Sequence, residues 1–246
     1  MVERIEGIIT DIIKHSDRHN VVTLYTRQYG RMAFLIPVGT SKTGRLRNAL
    51  VSLMAVISAD VNIRHGKDLY TLRQVAPVKT WHGIYANPVK ISLLFFIAEF
   101  CNKLIRQYPS DRILWEYLID SLAKLDSIPT NRLANFHICF LIRLLSLTGI
   151  FPAVTGYEPG MHFDMLAAEM IDSNHPSFKM RKGLLNEWES SLIPTFAKIN
   201  FQNMHLFRFT KTERERLLDR ILEYYSLHLP IGKDYKTLSV LHDIFA

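Results

Sequence analysis

The chain has 246 residues, of which 48% are hydrophobic, and a formal net charge of +7 at pH 7. So large an apolar fraction excludes a disordered chain and supplies enough side chains for a buried core. The positive charge is concentrated, because residues 1–80 carry 12 Lys and Arg against 6 Asp and Glu, whereas residues 81–246 carry 18 against 17. We therefore expect a polyanion to bind the first third of the chain.

The cysteines and the N-terminus indicate the compartment. Cys101 and Cys139 both fall in apolar helical patterns, which predicts buried, reduced thiols. The first residues lack the basic and apolar regions of a signal peptide. The most apolar run, residues 91–100, is far shorter than the ~20 residues that a membrane-spanning helix needs. We expect a cytosolic protein with no membrane partner.

Up to about residue 80, short runs rich in β-branched and aromatic residues alternate with turn residues. Gly30 suits a tight hairpin between two of these runs. Five short strands in so short a segment are typical of a small closed barrel such as an OB fold, and an SH3-like barrel gives a similar pattern. The predicted strands are Ile5–Ile13, Asn20–Arg27, Arg31–Val38, Leu50–Ile57 and Leu69–Val75.

From residue 81 onwards the pattern becomes helical. Pro88 begins a helix that is apolar on nearly every side, and Pro109 begins a second one. A third helix is predicted from Pro129 to Gly149, where the glycine suits a C-terminal cap. The fold class is therefore α+β, with a β-barrel domain over residues 1–80. A mostly α-helical domain follows over residues 81–246, with an irregular insertion near residues 150–180 that is rich in Pro, Gly and His.

The familiar catalytic motifs are absent from the sequence. There is no P-loop, H-E-x-x-H, G-x-S-x-G or G-x-G-x-x-G motif, and no C-x-x-C pair. His162 and Asp164 have the chemistry of metal ligands, but no further ligand lies close to them in the sequence, so we expect no metal site. We predict a protein that is not an enzyme and has no cofactor. A hydrolase with an unrecognised site is an alternative.

Basic and aromatic residues interleave in the predicted barrel. Cations neutralise phosphates and rings stack on bases, which is the combination that single-stranded nucleic acid requires. The alternative is that the tyrosines complete the barrel core and the cations only keep it soluble. The candidate DNA-binding residues are Tyr25, Arg27, Tyr29, Arg31, Lys42, Arg45, Arg47, Arg64 and Lys67.

The order of motifs resembles that of the RecO recombination-mediator family. The opening strand at Gly7-Ile8-Ile9 is followed by the hairpin sequence NVVTLYTRQYG at residues 20–30 and then by a basic loop at Ser41-Lys42. Residues 216–229 and 238–245 resemble the closing helices of the same family. The resemblance spans nearly the whole chain and implies an N-terminal OB fold and a C-terminal helical domain.

The same resemblance implies a function in DNA repair and recombination. Members of the family bind single- and double-stranded DNA and anneal complementary strands. They work with RecR and with the single-strand-binding protein to load RecA. We expect this function, in the cytoplasm at the nucleoid. The alternative is a protein-binding adaptor whose barrel carries incidental basic charge.

One part of the chain departs from the family pattern. Many members carry a four-cysteine zinc site in the irregular region after the third helix. Residues 157–164 of this chain contain no cysteine, so we expect that zinc has been lost there.

The resemblance also implies a partner for the helical domain, the acidic C-terminal tail of the single-strand-binding protein. A tail of this kind needs a cation beside an apolar groove. Arg132 and Arg143 lie eleven residues apart on one predicted helix and therefore share a face. We expect one of them to bind the carboxylates while Phe136 or Phe140 lines the groove. Alternatively, the arginines only extend from the apolar helix into water.

Overall fold

The structure is a computed structural model that describes residues 2–39, 50–64, 66, 68–106, 109–153 and 157–244. The chain separates into two compact units. Of the described residues, unit 1 contains 2–127 and 235–244, and unit 2 contains 128–234. This division differs from the boundary expected near residue 80, because the first helices cluster with the barrel. In the described part of the chain, no helix has the length and apolar character needed to cross a membrane.

Unit 1 opens with a curled six-stranded sheet. Its strands are β1 (Val2–Lys14), β2 (His19–Thr26), β3 (Gly30–Pro37), β4 (Val56–Asn62), β5 (Leu69–Thr71) and β6 (Arg73–Lys79). Their order in the sheet is β5-β3-β2-β1-β4-β6. Only Leu72 separates β5 from β6, and this single segment pairs with β3 at one edge and with β4 at the other. It thereby joins the two edges of the sheet with the connectivity of an OB barrel, which confirms the predicted fold.

The core of the barrel follows the alternation of its strands. In β3, Met32, Phe34 and Ile36 are buried, whereas Ala33 and Leu35 between them are half-buried. Strand β1 is different, since Ile8 and Ile9 are both fully buried although they point to opposite sides of the sheet. The outer side of β1 is covered by a helix of the same unit. The outer side of β1 around Ile8 is therefore covered and cannot contact a ligand.

The fourth strand corrects the sequence prediction. We expected it at Leu50–Ile57, but it runs from Val56 to Asn62. The preceding residues form a turn in which Met54 has φ 61° and is fully buried. Its N–H donates a hydrogen bond to the carbonyl oxygen of Ile9 at 2.6 Å. An apolar run can be buried in a turn as well as in a strand, and composition alone does not distinguish the two.

The two long helices of unit 1 begin at side-chain caps. Asn87 Oδ1 accepts hydrogen bonds from the backbone N–H groups of Val89 and Lys90 at 3.0 and 3.2 Å. Asp111 Oδ1 does the same for the next long helix, which therefore starts at Arg112 and not at Pro109. These helices are α1 (His82–Tyr85), α2 (Pro88–Leu104) and α3 (Arg112–Ser127).

Unit 2 is mostly helical, with one small hairpin in the predicted irregular region. Its elements are α4 (Phe136–Leu147), β7 (Met161–Asp164), β8 (Glu169–Asp172), α5 (Glu187–Ser191), α6 (Ile193–Phe196) and α7 (Lys211–His228). Tyr225 on α7 donates a hydrogen bond to the carbonyl oxygen of Leu141 on α4 at 2.7 Å, in the middle of the core. The last helix, α8 (Leu238–Ile244), belongs to unit 1.

The predicted third helix starts later than expected. Thr130–Arg132 form a short 3-10 turn, and the α-helix begins only at Phe136. Gly149 follows the helix with φ 75°, as its predicted role as a C-terminal cap requires.

Candidate nucleic-acid interface

The β2–β3 hairpin is held against the loop that precedes α3. The hydroxyl of Tyr25 accepts a hydrogen bond from the Asp111 N–H at 3.0 Å, and its ring centroid lies 6.3 Å from that of Trp115. Tyr25 is fully buried, and burial raises the pKa of its hydroxyl above the ordinary value. A ring in this position has no free face for a base. The expectation that Tyr25 stacks on DNA does not fit this burial. The ring does not complete the barrel core either, because it packs on Trp115 of α3 and lies outside the cluster of side chains that forms that core.

Two other hairpin residues are exposed but have acidic neighbours. The side chain of Tyr29 is 43% exposed, and its hydroxyl makes a hydrogen bond with the carboxylate of Glu3. The guanidinium of Arg27 lies 3.7 Å from a carboxylate oxygen of Glu6. Because exposed ion pairs of this kind are weak, DNA phosphates can compete for the arginine.

Arg31 lies on the outer side of β3. The register pairs Ala33 with Leu69 and Leu35 with Thr71, so the outward residues of β3 and β5 form one surface, the β3–β5 face, with Arg31 at one end. Arg73 continues the same alternation two residues after Thr71, and it is exposed. The β3–β5 face consists of Arg31, Ala33, Leu35, Leu69, Thr71 and Arg73.

Four arginines of the barrel are exposed cations outside any ion pair among the described residues. Two belong to the β3–β5 face, and Arg64 lies in the turn before β5. The fourth, Arg18, lies in the turn between β1 and β2, where its carbonyl oxygen accepts a hydrogen bond from the Val38 N–H at 2.8 Å. Arg18 and Arg73 were not among the sequence candidates, although strand parity could have indicated Arg73. We call Arg18, Arg31, Arg64 and Arg73 the barrel arginines.

The remaining candidate cations cannot be placed. Lys42, Arg45, Arg47 and Lys67 lie outside the residues that the structure describes. Their contribution to DNA binding stays a prediction.

In unit 2 the predicted partner site has a different geometry from the one expected. Arg132 lies in the 3-10 turn and Arg143 on α4, so the two do not share one helical face. Both arginines are exposed. Phe136 and Phe140 are fully buried, with the Phe136 ring stacked on Phe201 at a centroid distance of 4.8 Å. They do not line a surface groove, because the apolar stripe of α4 faces the core.

The two residues considered as metal ligands are engaged in other contacts. His162 Nδ1 lies 2.8 Å from the carbonyl oxygen of Leu185. A carboxylate oxygen of the buried Asp164 lies 2.7 Å from the guanidinium of Arg181. Burial raises the pKa of Asp164, but Arg181 and two backbone N–H groups outweigh that effect and hold the pKa below its usual value. In the described part of the chain, no three His, Cys, Asp or Glu side chains are arranged to hold a metal ion.

Two family models match the chain. Residues 1–81 match the family model described as recombination protein O N terminal, and residues 86–237 match recombination protein O C terminal. The chain belongs to the recombination protein O family. The two matches cover almost the whole sequence, so the resemblance drawn from motif order is confirmed.

Individual RecO relatives match over their full length. A DNA repair protein RecO from Bacteroides fragilis is 33% identical over 245 residues, covering 100% of both chains. The RecO of Phocaeicola vulgatus is 30% identical over 246 residues, and that of Azobacteroides pseudotrichonymphae is 27% identical over 245 residues, again with 100% of both chains covered. As a RecO-family member, the protein functions in DNA repair.

Proposed function

We propose that this RecO-family protein is a non-enzymatic recombination mediator that binds single-stranded DNA through the barrel of unit 1. The observation that carries the proposal is the set of barrel arginines, which are exposed and outside ion pairs in the described structure. Cations that have no acidic partner release counterions from DNA without first breaking an ion pair. They therefore favour phosphate binding more than Arg4 does, because Arg4 is held by Asp60 at 3.0 Å.

The chemistry of this surface suits strand annealing. With Tyr25 buried, Tyr29 is the exposed ring among the predicted stacking residues. A surface that binds mainly phosphates leaves most base edges of a bound strand free to pair. It also accepts both single and double strands, since phosphates are common to both. Annealing of complementary strands follows from binding of this kind. Lys42, Arg45, Arg47 and Lys67 are proposed to add further phosphate contacts.

The partners are part of the same proposal. We propose that the protein works with RecR and helps to load RecA onto strands coated by the single-strand-binding protein, in the cytoplasm at the nucleoid. Arg132 or Arg143 binds the acidic tail of the single-strand-binding protein. Leu206, which is 68% exposed, is a candidate for the apolar contact beside Arg132. Leu206 lies in a turn whose carbonyl oxygens accept hydrogen bonds from Asn135 Nδ2 at 2.7 and 2.9 Å. Asn135 follows Arg132 by three residues in the sequence.

Salt-dependent DNA binding tests the central claim. A variant in which all four barrel arginines are replaced by Ala is compared with the wild type by fluorescence anisotropy, using a labelled single-stranded oligonucleotide at several salt concentrations. If four phosphates are released, the slope of log K against log salt becomes shallower by about 3. Affinity falls at low salt, while circular dichroism and the melting temperature stay the same.

The matched control removes the same charge from exposed positions of unit 2. These positions are Lys179, Lys182, Lys198 and Arg208. This control variant should keep the salt slope of the wild type. If the barrel-arginine variant and the control variant had the same slope of log K against log salt, DNA would bind at another surface. A wild-type protein that binds no DNA at all would favour the adaptor alternative.

A further inference from the structure

A second surface of unit 1 has the features of a nucleotide site. A cleft of about 440 Å³ lies between β1, α2 and the segment that leads into α8. Thr10 and Asp11 of β1 line one side, and Lys236 and Thr237 line the other. It is separate from the β3–β5 face, none of whose residues lines it. We call it the α2 cleft.

An aromatic ring at the wall of the α2 cleft is open to solvent. Phe95 is 45% exposed although α2 is otherwise a buried helix, with both following residues, Phe96 and Ile97, in the core. Covering a large ring provides free energy, and because Phe95 lies at the wall of a cleft, a ligand in that cleft can cover it. A flat ring beside cations is suited to stacking on a base.

The acids of the α2 cleft are already engaged. Glu99 accepts hydrogen bonds from the N–H groups of Lys236 and Thr237 and from the Thr237 hydroxyl, at 2.7 to 3.0 Å. Asp11 Oδ2 accepts one from Asn102 Nδ2 at 3.0 Å. Both oxygens of Glu99 thus accept hydrogen bonds, and one oxygen of Asp11 does, while both carboxylates keep their negative charge.

The cations of the α2 cleft are available. Arg106 and Lys236 have exposed side chains and take part in no ion pair within the described residues. Lys103 is differently placed, since its ammonium nitrogen lies 4.0 Å from the centroid of the Tyr235 ring. The lining of the cleft carries three cations, Lys103, Arg106 and Lys236, against the two acids Asp11 and Glu99, so its formal charge of +1 favours anions.

We propose that the α2 cleft binds one nucleotide of a single-stranded nucleic acid, with its base stacked on Phe95 and its phosphates beside Arg106 and Lys236. The proposal rests on DNA binding by the protein and adds a second contact to the barrel surface. Two contacts on one protein either extend the path of one strand or hold two strands for annealing. An acidic peptide meets the same cations but can stack on Phe95 only where it carries an aromatic side chain, whereas every nucleotide carries a planar base, so the exposed ring favours the nucleic acid.

Tryptophan fluorescence tests the stacking directly. In a Phe95→Trp variant of the full chain, the new indole replaces the ring at the wall of the cleft, and a single-stranded oligonucleotide should quench its emission. The matched control is Ile113→Trp, because Ile113 is 63% exposed on α3 of the same unit and lies outside the cleft. We expect quenching in the first variant and none in the second, after subtraction of the wild-type signal.

Two further variants measure the energetic contribution. Phe95→Ala should weaken binding of the oligonucleotide about tenfold, the effect of losing one stacked base. The double variant with Arg106→Ala and Lys236→Ala should make the salt slope shallower by about 1.4, as expected for two phosphates of a single strand. The control for charge is the double variant with Lys179→Ala and Lys182→Ala, which should keep the wild-type slope.

The outcomes separate this proposal from the function on which it rests. If the wild type binds DNA but Phe95→Trp is not quenched and Phe95→Ala binds normally, the α2-cleft proposal is wrong while the barrel surface stands. Quenching of Phe95→Trp by an acidic peptide and not by the oligonucleotide would make the cleft a protein-binding site. If the wild type binds no DNA, both proposals fail.

Discussion

The backbone N–H of Asp111 donates a hydrogen bond to the hydroxyl of Tyr25 at 3.0 Å, which fixes the start of α3 to the hairpin of the barrel. Tyr25→Phe removes the acceptor and leaves that N–H without its partner. We expect a loss of about 1 kcal/mol in the free energy of unfolding, measured by urea denaturation. Affinity for single-stranded DNA and its salt slope should not change, because the Tyr25 ring is buried.

The control for this prediction is Tyr29→Phe in the same hairpin. Its hydroxyl is exposed and bonds to an exposed carboxylate, so removal should leave stability nearly unchanged. A drop in DNA affinity for Tyr25→Phe with unchanged stability would contradict the structural assignment.

A close backbone contact at Gly30 gives a second prediction. A Cβ atom at this position would lie 2.8 Å from the backbone nitrogen of Ser110, and Gly30 also has φ 66°. Gly30→Ala should therefore destabilise unit 1 both by backbone strain and by displacing the loop before α3. Gly66 offers a matched control, because it has φ 74° but a Cβ atom added there would have no neighbour within 4 Å. Gly66→Ala should lower the free energy of unfolding only by the cost of the backbone strain, about 1 kcal/mol.

The difference between the two alanine variants isolates the contact with Ser110. We expect Gly30→Ala to be the less stable variant by about 1 kcal/mol or more, the effect of overpacking a core. Equal melting temperatures would mean that the loop moves away at no cost.

The carboxylate of Glu99 makes the attachment of the C-terminal segment dependent on pH. Burial raises the pKa of Glu99, but the donors of Lys236 and Thr237 outweigh it and hold the pKa below the ordinary value. A group with a lowered folded pKa stabilises the folded state above its unfolded pKa of about 4.3. That stability is lost as the pH falls through the folded pKa. Acid should therefore release the segment.

Glu99→Gln tests this dependence. At pH 7 the variant should lose about 1 kcal/mol in the free energy of unfolding, and the amides of Lys236 and Thr237 should exchange hydrogen faster. The gap between wild type and variant should shrink below about pH 4, since the wild-type carboxyl is then also protonated. Glu116→Gln is the control, because that exposed carboxylate pairs with an exposed arginine, Arg112. If the difference in free energy of unfolding between the wild type and Glu99→Gln stayed the same in acid, the proposed titration of Glu99 would be contradicted.

The hairpin of unit 2 should be independent of metal. Asp164 is engaged by Arg181 and by the N–H groups of Leu166 and Ala167, so the turn is held by the chain itself. We expect a chelator to leave the melting temperature unchanged, whereas a structural zinc site would contribute strongly to folding. Stoichiometric zinc in the purified protein would contradict this prediction.

Sequence patterns predicted much of the barrel because strands and turns are local. Gly30 and the alternation in β3 defined the hairpin correctly, and Asn87 with Pro88 marked the start of α2. The prediction failed where tertiary contacts override local preference. Met54 forms a buried turn with Ile9 where an apolar run looked like a strand.

The site residues were harder to predict for a related reason. The helices that cover one side of a strand lie far from it in the sequence. The residues around Tyr25 therefore do not indicate its contact with Asp111. Arg132 was assigned to a helix because helical periodicity does not separate a 3-10 turn from the first turn of α4. The α2 cleft escaped prediction for the same reason, since residues 10, 95 and 236 meet only in the folded chain.

Unit 1 is built from both ends of the chain, with residues 235–244 packed among elements that precede residue 128. During synthesis, the barrel and the first helices leave the ribosome long before the segment that binds Glu99. Unit 2 is continuous over residues 128–234, so all of its described residues have emerged before unit 1 can complete its packing. Unit 1 is therefore the first to be synthesised but the last to complete its packing. A chain truncated before Tyr235 would lack Lys236 and Thr237, which donate hydrogen bonds to Glu99.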